Sequence, residues 1–203
     1  MVDALAGARV LVPVLAELEA ADVVEHDGHA HTVDKEASAG VVALRAPDGR
    51  TALPVFSSVG SMTRWRPDAR PVPADAERAA LSAVQEGWEL VVVDPGGPAP
   101  ALLPRPAVWA LAQQRPWRPA VVEGVVDPDV AVVAERVRAV AGVADARLEP
   151  GRRAEVAVVV LLPPGLDRAG LDDVLARVNA ALAADEVVAE RVDSVELRVQ
   201  PVG

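Results

Sequence analysis

RTALPVFSSVGSMTRWRPDARPVPADAERAALSAVQEGWELVVVDPGG, residues 50–97, decides the fold. TALPVF is a β run of branched and aromatic residues, with a proline that suits an edge or a strand end. A helix opens after Phe56-Ser57-Ser58, and both serines are read as caps for it. A short strand follows around ARPVPA. Asp75 then caps a second helix whose Leu81, Val84 and Trp88 fall on one face, and Gly87 closes it in a left-handed turn. ELVVVD is an apolar strand stopped by Pro95-Gly96-Gly97. The order is strand, helix, short strand, helix, strand.

Towards the N-terminus, ALAG reads as the remnant of a helix and residues 8–14 as the first strand. Residues 17–38, polar and rich in Asp, Glu and His, read as a long loop. Residues 40–45 and 50–56 form a β-hairpin, because Ala46-Pro47-Asp48-Gly49 has the proline and glycine of a type I turn. Towards the C-terminus, residues 106–114 form a short helix carrying Val108 and Leu111. Pro116, Trp117 and Pro119 then mark a boundary, giving domains at 1–118 and 119–203.

The second half is more regular. Residues 120–126 are a strand. Asp127 and Pro128 start a helix with Val130, Val133, Val137 and Val140 on one face, and Gly142 lies beyond it. Strands at 143–149 and 154–162, a helix at 167–184 and a strand at 195–199 complete the order βαββαβ, that of a ferredoxin-like unit. The third strand, EVAVVVLL, is apolar on both faces, as a central strand should be. VADARLE and SVELRVQ alternate, as edges should. Helices cover only one face of such a sheet, so Ala157, Val159 and Leu161, or the opposite set, need a second cover. The two covers weighed are the N-terminal domain and another copy of the chain. The expectation is α/β (α+β) overall, with a mixed-sheet N-terminal domain, a ferredoxin-like C-terminal domain and a homodimer formed through the C-terminal sheet.

Six pieces, LVPV, DKEASAGVVAL, PDGRTALPVFSS, W-x-P-x-ARPVPA, ELVVVDPGGP and RPAVWALAQQRPWRP, occur in order across residues 9–119. In them the chain resembles the SseB-like family, in particular its actinobacterial members, and residues 120–203 look like the C-terminal half of longer members. The family takes its name from an enhanced serine-sensitivity phenotype and from similarity to a type III secretion component. The resemblance carries over no catalytic residue.

Composition excludes several classes. A formal net charge of −10 argues against nucleic acid, which needs a basic face. No apolar run approaches the roughly 20 residues that span a bilayer, and MVDALAGARVLVPV lacks the pattern of a secretory signal. The chain has no cysteine, hence no disulfide or zinc–thiolate cluster. A cytoplasmic location is the expectation. Half of the residues are apolar (51%), yet aromatics are limited to Phe56 and four tryptophans, so the core must be aliphatic.

Candidate sites follow from residue type. His26, Asp27, His29 and His31 have spacing that could hold zinc or nickel, but no second cluster supports them and a solvated loop is the preferred reading. Asp34, Lys35 and Glu36 form an exposed salt-bridged turn, a buried ion pair or a ligand contact, the first being the preferred reading. Trp65 with Arg66 and Trp117 with Arg118 could stack as cation–π pairs, whereas Trp88 and Trp109 read as core. Asp94 ends a strand, where α/β ligands often sit. The candidate binding set is Asp34, Lys35, Glu36, Phe56, Ser57, Trp65, Arg70 and Asp94, with no catalytic residue, metal or cofactor. The functional expectation is a non-catalytic interaction or assembly module whose partner is a protein. Its alternative is a sensor of an amino acid or anion.

Overall fold

A computed structural model describes residues 2–15, 24–26, 29–31 and 40–202. The chain falls into two units, Met1–Trp117 and Arg118–Gly203, and it is mixed α/β with several small sheets.

In the first unit, helix α1 (Val2–Leu5) leads into strand β1 (Arg9–Val14). Strands β2 (Val24–His26) and β3 (His29–His31) pair antiparallel inside the stretch expected to be loop. Strands β4 (Leu44–Arg45) and β5 (Thr51–Val55) form the expected hairpin, with the Gly49 N–H donating to the Ala46 carbonyl at 2.9 Å. Then come α2 (Val59–Trp65), β6 (Arg70–Asp75), α3 (Ala76–Gln85), β7 (Leu90–Val93), β8 (Ala101–Leu103) and α4 (Arg105–Ala112). The sheet order is β4-β5-β7-β8, with β5 and β7 parallel and the outer strands antiparallel to them. β1 and β6 form a separate antiparallel ribbon. Reciprocal backbone bonds of 2.9 Å between Leu11 and Phe56 fasten that ribbon to the end of β5.

Leu53, Val55, Val91 and Leu103 bury one face of the four-stranded sheet in a core shared with α3 and α4. Val84 and Trp88 pack half-buried against the core as expected, but the fully buried face of α3 is not the expected one. It is Ala76, Ala79, Ala80 and Ala83, while Leu81 stays 44% exposed. Small side chains let two helices approach closely, and α4 answers with Ala107, Val108 and Leu111. Gly87 closes α3 as expected, at φ 72°, with the Trp88 N–H reaching back to the Ala83 carbonyl (2.8 Å). We expect Leu81→Ala to change the unfolding free energy by under about 1 kcal/mol. Ala83→Leu, at a site with no exposure, should cost about 1–3 kcal/mol by overpacking. Urea titrations of the two variants check this.

Trp109 also departs from expectation. Pro106, Ala107, Val108 and Leu111 form the buried side of α4, which leaves Trp109 46% exposed. Trp88 is half-buried against the core. All four tryptophans, 65, 88, 109 and 117, belong to this first unit.

In the second unit, strands β9 (Val121–Val122) and β10 (Val125–Val126) precede helices α5 (Pro128–Ala131) and α6 (Val133–Arg138). Strands β11 (Asp145–Pro150) and β12 (Val156–Leu162), helices α7 (Arg168–Ala183) and α8 (Glu186–Arg191) and strand β13 (Val195–Pro201) follow. Asp127 and Asp167 cap α5 and α7 by accepting from the Asp129 and Gly170 N–H groups (2.9 and 2.8 Å).

The sheet is three-stranded, in the order β11-β12-β13, with β12 and β13 parallel. This differs from the ferredoxin-like order, in which the first strand lies antiparallel between the third and the fourth. The cause is local. Glu123 and Gly124 both take positive φ (50° and 77°), so residues 120–126 fold back on themselves as a two-residue hairpin with Val122 opposite Val125. No strand long enough for the central place is left, and β13 takes the position beside β12.

One face of β12, Val158, Val160 and Leu162, packs on Val133 and Val137 of α6 and on Val174, Val178 and Leu182 of α7. The other face was expected to need a domain or a second chain. Ala157 and Val159 there have no exposure, and a ladder of charged side chains from the edge strands spans them. Register places Arg147 and Arg198 on either side of Val159. Arg147 pairs with Glu149 (2.8 Å) and donates to Gln200 (3.1 Å). Arg198 pairs with Glu196 and reaches over to Glu149 (3.4 Å). A guanidinium that joins β13 to β11 must cross β12, so its aliphatic stem covers apolar residues while its head stays wet.

Candidate functional site

Two parallel strands end side by side, β5 at Val55 and β7 at Val93. Phe56-Ser57 continues one and Asp94 the other. The Asp94 carboxylate accepts from the Ser57 N–H (2.9 Å) and from the Ser57 hydroxyl (2.6 Å). The Asp94 N–H donates to the Val55 carbonyl (2.9 Å), and the Asp94 carbonyl accepts from the Gly97 N–H (3.0 Å). Asp94 holds φ 49°, a conformation aspartate tolerates better than most residues. Ser58, not Ser57, caps α2 by accepting from the Ser61 N–H (3.1 Å). The two serines therefore divide the roles expected of both.

Phe56 is completely buried, and Trp65 packs on it with ring centroids 5.2 Å apart and planes tilted by 39°. Trp65 thus meets an aromatic ring, while Arg66 pairs with Asp68 (3.3 Å) and Arg118 with Asp129. The structure brings Phe56, Ser57, Trp65 and Asp94 into one neighbourhood. Arg70 is exposed at the start of β6, opposite Val14. Asp34, Lys35 and Glu36 lie outside the described residues, as does Asp27. His26 and His29 are opposite in the backbone register of β2 and β3.

A carboxylate is a weak base toward an alcohol, so the Ser57–Asp94 contact acts as a tie between strand ends. Nucleophilic serines generally rely on an imidazole to take the proton. Among the described residues, no group of three or more His, Asp or Glu side chains gathers in a way that could hold a metal. No helix among them is long and apolar enough to cross a membrane.

Sequence reasoning missed two charged sites. Asp185 is a buried carboxylate, 5% exposed, that caps α8 through the Val187 and Val188 N–H groups (2.9 and 3.2 Å) and pairs with Arg136. Burial pushes its carboxyl up, but the Arg136 guanidinium and those N–H groups outweigh burial and hold it below 3.8. Its signal was the aspartate directly after the long helix, ahead of EVVAER. The second is Glu196, which accepts from the Arg152 and Arg153 N–H groups (2.9 and 3.1 Å). The Arg152 N–H and the Arg198 guanidinium hold its carboxyl below the usual range.

Among proteins of known kind, the family model of the SseB protein N-terminal domain matches residues 1–110 of the 203. No curated protein and no solved structure matches. The match spans more than half of the chain and takes in the ribbon, the four-stranded sheet and the Ser57–Asp94 tie, and the chain belongs to the SseB family.

Proposed function

We propose that this protein is a non-catalytic interaction or assembly module acting in the cytoplasm, as an acidic, cysteine-free chain suits. One observation carries the reading. At the ends of β5 and β7, where α/β proteins commonly hold their reactants, the Ser57 and Asp94 polar groups are bonded to each other. That contact makes the strand ends a rigid platform.

A groove in the first unit supports a second reading, a sensor of small zwitterions. It has a volume of about 270 Å³, walls that include Val12, Val14, Leu53, Val72 and Trp88, and both Arg78 and Glu86 among its lining. Cation and anion beside an apolar slot suit the carboxylate, ammonium and side chain of an amino acid. A thermal-shift screen against amino acids and inorganic anions separates the readings. On the interaction reading the melting temperature stays constant. A ligand at about 100 times its Kd would add about 2.7 kcal/mol. A rise of that size, removed by Arg78→Ala or Glu86→Ala, would establish the sensor.

A further inference from the structure

The second unit's sheet has two outer edges, and the chain treats them differently. On β11, the Ala146 N–H donates to the Asp145 carboxylate (2.8 Å) and the Ala146 carbonyl accepts from Arg138 (3.1 Å). Arg138 and Asp145 also pair with each other (2.9 Å). Side chains thus occupy the bonds that an arriving strand would need.

Among the described residues, β13 has no such cover. The Val156 N–H donates to the Ser194 carbonyl (3.2 Å) and the Val202 N–H to the Leu162 carbonyl (2.9 Å). In a parallel ladder these bonds point alternate residues of β13 at β12 and turn the N–H and carbonyl groups of Val195, Leu197 and Val199 outward. Among the described residues β13 pairs only with β12. Other edges are blunted: β4 has two residues, β8 has three, and β6 carries Pro71 and Pro73. β13 runs for seven residues with proline only at its last position.

The sequence of that edge is complementary to itself. Residues 195–199 read VELRV. Turned antiparallel about a twofold axis at Leu197, Leu197 meets its own copy and Val195 meets the partner's Val199. Glu196 meets the partner's Arg198. The outward backbone groups of 195, 197 and 199 fall at the hydrogen-bonded positions, and the Glu–Arg pairs fall at the closer, non-bonded ones.

We propose that the protein forms a twofold homodimer in which the β13 strands of two copies pair antiparallel about Leu197, merging the two sheets into one. The partner sits on the edge because the sheet face already carries the Arg147–Glu149–Arg198 ladder. Across the axis each Glu196 lies between its own Arg198 and the partner's Arg198, so the ladder continues from copy to copy. This dimer rests on the assembly reading above and names its partner as a second copy of the chain.

Light scattering on the full chain at micromolar concentration should give twice the 21.1 kDa chain mass. Glu196→Arg and Arg198→Glu each set like charges opposite one another, and each alone should weaken dimerisation by about tenfold or more. Mixed in equal amounts, the two variants restore opposite charges at both pairs and should form a heterodimer. Val199→Pro removes an outward N–H and none of the bonds to β12, and should also weaken the dimer. A monomeric wild-type chain overturns the dimer, and so does a mixture of variants that stays monomeric. Neither result bears on the ligand screen, which alone decides between module and sensor.

Discussion

Val160→Asp is expected to unfold the second unit. Val160 has no exposure and faces the aliphatic core formed with α6 and α7. A carboxylate there has neither water nor a partner, and its burial should cost about 4 kcal/mol or more. A domain of ordinary stability has roughly 5–15 kcal/mol in all. One position earlier the same substitution meets a different setting. Val159 is equally buried, but its neighbours in register are Arg147 and Arg198. Val159→Asp should therefore lose about half as much, because two guanidinium groups stand ready to pair with it. Urea unfolding followed by circular dichroism gives both values. Equal losses would show that the arginines do not lie over β12.

Asp185→Ala should cost about 2–4 kcal/mol, since it removes a buried carboxylate from two N–H groups of α8 and from Arg136. The figure stays below that for a wholly buried ion pair because Arg136 is half exposed. Asp185→Asn keeps a capping oxygen and loses only the charge, so it should cost about half as much. The pH dependence separates the two contributions. The folded-state carboxyl lies below its ordinary value of 3.8, so the charge stabilises in full above that value. That stabilisation is lost as pH falls through the lowered folded value. The gap between wild type and Asp185→Asn should be constant at neutral pH and close in acid. A gap that persists at the lowest pH would mean that the charge is not what stabilises the fold.

Local signals were legible where one residue type fixes one backbone state. The Ala46–Gly49 turn, the Gly87 terminus and the Asp127 cap could all be read from sequence. The 120–126 hairpin could not, because glutamate at Glu123 is an unusual occupant of positive φ and so sends no turn signal. Trp109 read as core because aromatics are scarce, and helical periodicity placed Leu81 on the buried face. It could not show that alanines would win the inner face of α3, which depends on how near α4 comes. Ser57 and Asp94 were each singled out, but their contact joins residues 37 apart in sequence. The Glu149–Arg198 crossing joins residues 49 apart. Strand order decides such contacts, and the strand order of the second unit turned on that one unread hairpin.

The placement of the tryptophans makes the two halves optically unequal. Four indoles in the first unit, no tyrosine in the chain and its one phenylalanine at position 56 leave the second unit without an aromatic chromophore. Fluorescence therefore follows one half only, with Trp65 on Phe56 reporting the strand-end tie and Trp109 the solvent. Far-ultraviolet dichroism follows both halves. Denaturation curves from the two signals will coincide if the halves melt together and separate if they do not. The difference between them is a spectrum of the half that emits no light.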